Sequence, residues 1–156
     1  SRKVGVAALK YSVLRIQMEK NIVFNIKDSV RFDGNTAAYL QYTAVRAKNI
    51  IRKSGQKVPQ KFSSSYPLNA DEKRLVSLLS AFPAEVEASA RSITLSNLCN
   101  YLFALATQFS SFYNSCPVIN AEAEEQKNAR LQMVSSLLTV MQNGLDLLGI
   151  EVPEKM

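Results

Sequence analysis

Hydrophobic residues recur at intervals of three and four along most of this chain, the spacing of one face of an α-helix. Val6, Leu9, Val13 and Ile16 repeat this way and predict a first helix over about 3–19. Ile22, Phe24 and Ile26 alternate instead, which predicts a short extended connection before the turn chemistry of Asp33-Gly34-Asn35. A second helix is expected to start with Asn35 or Thr36 as its cap and to run to about Lys53, where Ser54-Gly55 stops it. A polar loop of roughly 15 residues follows, long for a compact domain. Asn69 then caps a third helix whose stripe is Leu75, Leu78, Leu79 and Phe82. Asp71 and Glu72 suit its N-terminal dipole. Pro83 is expected to end it and to open a further short helix.

The last two helices are the longest. One is capped by Thr94 or Ser92 and carries the seam Leu95, Leu98, Leu102, Leu105, Phe109 and Phe112. The other runs from about Ala121 to Leu148 with the seam Leu131, Val134, Leu138, Met141, Leu145 and Leu148. The two seams share one 3-4-3-4-3 spacing, which predicts antiparallel packing of the two helices on each other at a shallow angle. Gly149 stops the last helix and leaves IEVPEKM as an exposed tail. The expectation is an all-α helical bundle of about five to six helices, with no internal repeat.

Composition narrows the chemistry. With 156 residues a single domain over 1–156 is expected. The chain has no histidine, so it offers no Ser-His-Asp or Cys-His pair and no HExxH zinc site. The glycines form neither GxGxxG nor a Walker A pattern. Cys99 and Cys116 fall about 25 Å apart along one helix, at ~1.5 Å per residue, beyond the reach of a disulfide. Two free thiols point to a reducing, cytoplasmic compartment. The first residues lack a signal peptide's apolar region, and no apolar run approaches the ~18 residues of a membrane span.

Charge changes the picture further. Lys and Arg number 19 against 13 Asp and Glu, a net +6. The excess is local: no acidic residue stands between Asp33 and Asp71, and that stretch holds Arg46, Lys48, Arg52, Lys53, Lys57 and Lys61. Such a block attracts polyanions, above all nucleic-acid phosphates. On the second helix Leu40, Ala44, Ala47 and Ile51 cluster on one side, while Tyr39, Tyr42, Arg46 and Lys53 fall within about 60° of one another on the other. Tyrosines beside cations suit a single-stranded RNA loop, with rings stacking on unpaired bases and cations meeting phosphates. The same spacing also fits tyrosines packed against another helix. Tyr113, just past Phe112, is either a further stacking ring or a filler at a helix end.

These residues also form recognisable motifs. FDGNTAAYLQYTAVRAKNIIRK, YLFALATQFSSFYNSCPV, LQMVSSLLTVMQNGLDLLGIEVPEKM and VGVAALKYSVLR resemble segments of the C-terminal anticodon-binding (DALR) domain of arginyl-tRNA synthetases, which are class I aminoacyl-tRNA synthetases. The resemblance covers almost the whole chain. It implies a helical domain cut from a larger ligase that attaches arginine to its tRNA using ATP. It assigns the anticodon-loop surface to Tyr39, Tyr42, Arg46, Tyr113 and Met156; the basic stretch adds Lys48, Arg52, Lys53, Lys57 and Lys61 as candidate phosphate contacts. Ala38 stands where the family usually has Pro, which weakens the case for Tyr39. The HIGH and KMSKS motifs of the Rossmann catalytic domain are absent, so no catalytic residue, metal or cofactor is expected here; ATP and arginine would bind the missing domain. The expected partners are arginine tRNA and that catalytic domain, with no membrane and no self-association beyond the monomer. A helical protein-interaction module is the competing reading.

Overall fold

The computed structural model describes residues 2–17, 25–59 and 66–156, and its regular elements are all helical. In chain order they are α1 (Arg2–Leu14), α2 (Ile26–Ser29), α3 (Ala37–Ser54), α4 (Ala70–Ser92), α5 (Leu95–Ser115) and α6 (Glu124–Leu147). Ile22 and Phe24 of the expected extended connection lie outside the described residues. At Ile26 the backbone instead opens a single helical turn, started by the Asn25 side chain accepting from Lys27 N.

The helix boundaries follow local chemistry. Thr36 caps α3, its hydroxyl oxygen accepting from Tyr39 N at 3.1 Å. Gly55, at φ 65°, closes the far end in the left-handed conformation that glycine adopts without steric penalty. Asn69 and Glu72 form a capping box at the start of α4. Pro83, however, neither ends nor opens a helix: α4 runs through it. Proline removes one N–H from the ladder, but Leu78, Leu79, Phe82 and Val86 pack on the core from both sides of it. Tyr101 in α5 stacks against Phe82 and donates to Leu78 O at 2.8 Å, holding the turn before the proline.

Most seam residues of α5 and α6 are buried, Leu95 being exposed and Leu138 partly covered. Their partners differ from the expectation. α5 pairs chiefly with α4, and α6 chiefly with α3. α5 and α6 meet at a close approach, where a Cβ at Gly144 would stand 2.6 Å from Leu102 Cδ2. A 3-4 seam specifies which face of a helix is apolar, and any neighbour with a matching groove can cover it.

α1 is turned differently from its spacing. Val6, Leu9 and Val13 are 46%, 52% and 42% exposed, while Ala7, Ala8, Tyr11 and Ser12 are buried. The small alanines allow close approach, and the Tyr11 hydroxyl donates to Asn35 Oδ1 (2.5 Å) and Cys99 O (3.0 Å), tying α1 to the start of α3 and to α5. Cys99 and Cys116 are both free and buried.

The tail departs in part from the expectation of an exposed end, Glu151 and 154–156 being exposed as expected. Gly149, at φ 64°, reverses the chain after α6, and Ile150 N donates back to Leu145 O at 2.8 Å. Ile150 and Pro153 are then buried.

Candidate nucleic-acid interface

Because α3 advances 100° per residue, Tyr42, Arg46, Asn49 and Lys53 form one line along its surface. This line is one wall of a cleft of about 220 Å³ that also takes in Val45, Ile50, Tyr113, Ile119 and Met156. Tyr113 comes from the last turn of α5, Ile119 from the α5–α6 connection, and Met156 from the tail. Three distant parts of the chain thus meet at the basic helix. Larger hollows elsewhere, at the α1–α2–α3 corner, between α1 and the tail, and between α4 and α6, carry no aromatic ring.

Arg46 Cζ lies 4.1 Å from the centroid of the Tyr113 ring. Stacking on the ring face is a cation–π contact that leaves the N–H edge of the guanidinium open to a phosphate or a base edge. Tyr113 itself leans on Phe109, which fixes the ring to the core. Tyr42 is 40% exposed and meets the edge of Phe32. Phe32 belongs to the FDGN motif, the one sequence signal that could have marked it. Asn49 shares the helical line of Tyr42 and Arg46, a spacing signal, whereas Ile119 had none and enters only through the cleft.

The expected site residues therefore divide. Tyr42, Arg46, Lys53, Tyr113 and Met156 come together. Tyr39 does not join them: its ring is half-buried against Phe103 and its hydroxyl donates to Ala106 O at 3.4 Å. Its position three residues before Tyr42 turns it by about 60° on the helix, enough to face α5. Arg52 and Lys57 are exposed outside the cleft lining, and Lys48 Nζ stands 3.7 Å from Glu154 Oε1 of the tail. Lys61 lies outside the described residues. Arg46, Arg52, Lys53 and Lys57 make no ion pair among the described residues, so their charge is available to an outside anion.

A buried polar cluster connects to the cleft through the α5–α6 connection. Arg130 Nε donates to Glu72 Oε1 at 2.7 Å, with both side chains buried. The same Glu72 oxygen accepts from the Tyr66 hydroxyl (3.0 Å), and its other oxygen from Asn69 N (2.8 Å). Arg130 Nη1 donates to Pro117 O at 2.7 Å, pinning the connection that follows Tyr113 and carries Ile119. Burial and the Glu72 bond push the Tyr66 phenol up to about 12. No group of His, Cys, Asp and Glu side chains among the described residues is arranged to hold a metal ion. No helix among them is long and apolar enough to cross a membrane.

Comparison with known proteins agrees with this architecture. Residues 40–156 match the model of the DALR anticodon binding domain. The arginine–tRNA ligase of Methanococcus maripaludis is 36% identical over 156 residues, and that of Parabacteroides distasonis 31% identical over 159, each across 100% of this chain and 27% of the relative. Among solved structures, Thermus thermophilus arginyl-tRNA synthetase superposes with a TM-score of 0.92 at 33% identity, covering 99% of this chain and 27% of that one. The Plasmodium falciparum arginyl-tRNA synthetase gives 0.87 at 25% identity over 99% of this chain and 27% of its own. This chain spans about a quarter of the length of the relatives it matches. It belongs to the DALR anticodon-binding domain family, in the form found in arginine–tRNA ligases.

Proposed function

We propose that this chain binds the anticodon arm of arginine tRNA and holds it for a catalytic domain lying outside these 156 residues. In the longer protein, arginine would be attached to the tRNA using ATP, with both small substrates bound by that other domain and no cofactor held here. The observation that carries the reading is the meeting of Tyr42, Arg46, Lys53, Tyr113 and Met156 at one cleft on the basic helix. Tyr42 and Tyr113 supply rings for unpaired bases. Arg46 and Lys53 meet phosphates at the cleft, with Arg52 and Lys57 extending the positive surface and Lys48 exchanging Glu154 for a phosphate. Free, buried Cys99 and Cys116 fit a reducing, cytoplasmic compartment.

The exposed stripe Val6, Leu9 and Val13 favours a protein contact as well. None of the three lines the cleft. Docking of the catalytic domain on α1 is therefore compatible with RNA in the cleft. The test is a titration at fixed salt with arginine tRNA and with the same tRNA carrying a changed anticodon. The expected result is weaker binding of the changed tRNA. Equal affinity for both would reduce the interaction to charge alone and overturn the reading.

A further inference from the structure

Gln41 is fully buried on α3, yet only half of its amide is satisfied. Its Nε2 donates to the backbone oxygen of Glu151 at 2.7 Å, while its Oε1 is buried without a partner among the described residues. An unpaired buried carbonyl carries a desolvation cost that a leucine or methionine of similar size would avoid. The one bond the amide makes reaches across 110 positions to the tail.

The tail lies in step with α3. Glu151 sits beside Gln41 and Glu154 beside Lys48. Seven residues of helix advance ~10.5 Å, and three residues of extended chain advance ~10 Å. The two segments therefore run parallel as far as Glu154, where the chain bends, and Met156 lines the cleft with Asn49 and Lys53. Register matters because a slip of one residue would carry Met156 about 3 Å along the chain path, out of the cleft. Burial of Ile150 and Pro153 and the Ile150 N–Leu145 O bond also anchor the tail, but the other side-chain ties are exposed: Lys3 to the Glu151 carboxylate at 2.8 Å, Lys10 to Gly149 O at 2.5 Å, and Lys48 to Glu154 at 3.7 Å. Exposed ties weaken with salt, whereas a buried hydrogen bond is screened much less.

We infer that Gln41 is a positioning residue that sets the register of the tail on α3 and thereby seats Met156 in the RNA cleft. This rests on the RNA-binding reading above. Gln41→Met keeps the volume and removes the lock.

The test compares wild type, Gln41→Met, Met156→Ala and the double variant. Each is titrated with an RNA hairpin of an arginine-tRNA anticodon arm, and backbone amide exchange is followed over 151–156. Each single variant is expected to weaken binding by about fivefold, and the double variant to be no weaker than Met156→Ala alone. Exchange over 151–156 should quicken in Gln41→Met while that of α3 is unchanged. Additive losses, wild-type affinity in Gln41→Met, or unchanged tail exchange would each overturn the inference. Insertion of one alanine between Pro153 and Glu154 displaces Met156 while leaving the buried Ile150 and Pro153 and the core-packed Val152 in place, and should reproduce the loss even if Gln41→Met folds poorly. Arg46→Ala separates the two ideas. If it binds the hairpin as wild type does, the RNA reading fails, and the RNA-seating inference with it. If it binds more weakly while Gln41→Met does not, only the positioning role of Gln41 falls.

Discussion

Arg130 and Arg46 bring the same guanidinium into opposite settings. Arg130 is buried, held by a carboxylate on one side and a backbone carbonyl on the other. Arg46 is half-buried, rests on an aromatic face and has no carboxylate partner among the described residues. Desolvation explains the contrast. A buried cation is tolerated only when fully paired, so Arg130 is committed to the fold. A cation left on a ring keeps part of its water and its hydrogen-bonding edge. It remains free to exchange that water for a phosphate.

The largest effect should come from breaking the buried side. Arg130→Ala leaves Glu72 buried without its cation and is expected to cost about 3–5 kcal/mol in urea unfolding. Arg46→Ala should cost only the exposed cation–π contact, about 0.5–1 kcal/mol. A comparable loss from both would erase the distinction. On the RNA side, Arg46→Ala should lower the slope of log affinity against log salt by about one phosphate contact.

Next in size is Tyr42→Ala. Loss of a stacked base should weaken RNA binding by about 1–3 kcal/mol with the salt slope unchanged. A changed slope would argue that Tyr42 acts through the neighbouring cations instead.

Alkaline pH probes the buried cluster from another direction. Tyr66 and Tyr101 rise from 10.0 to about 12, chiefly by burial, and Cys99 rises from 9.0 to about 12 for the same reason. Each is kept neutral by the fold and ionises more readily when unfolded. Their contribution is therefore intact below about pH 9 and falls as pH rises towards 12. Tyr66→Phe should make that decline shallower in denaturant titrations at stepped pH. An identical decline would show that Tyr66 does not take part.

The smallest effect sharpens where the line falls. Tyr39→Phe removes the hydroxyl bonded to Ala106 O and should cost about 0.5–1.5 kcal/mol of stability with RNA affinity unchanged. A loss of affinity would return Tyr39 to the interface.

What could be read from the chain divides along the same physical line. Features set by neighbours in sequence were legible: the Thr36 cap, the glycine stop at Gly55, the Asn69 cap, and the alignment of Tyr42, Arg46 and Lys53. Features set by partners in space were not. The α5 and α6 seams were apolar as expected, but α4 and α3 cover most of them. Pro83 obeys its local rule until packing on both flanks overrides it. In α1 the bulky residues marked the periodicity, yet Ala7, Ala8 and Tyr11 face the core, because closeness and a shared hydroxyl outweigh side-chain size. The cleft mixes both kinds. Its α3 wall follows from spacing, Tyr113 and Met156 from family resemblance, and Ile119 from three-dimensional proximity alone.

The cleft joins Tyr42, Tyr113 and Met156, so it exists only when α3, α5 and the tail have all found their places. Charge alone survives in a partly folded chain, because Arg46, Arg52, Lys53 and Lys57 are close together in sequence. Specific RNA binding therefore acts as a reporter of complete folding, and the link runs both ways. A ligand that binds only the folded state at one hundred times its dissociation constant adds about 2.7 kcal/mol to that state's stability. Bound to this cleft, a cognate RNA would raise the unfolding temperature of the whole domain, whereas a polyanion held by charge alone would do so far less.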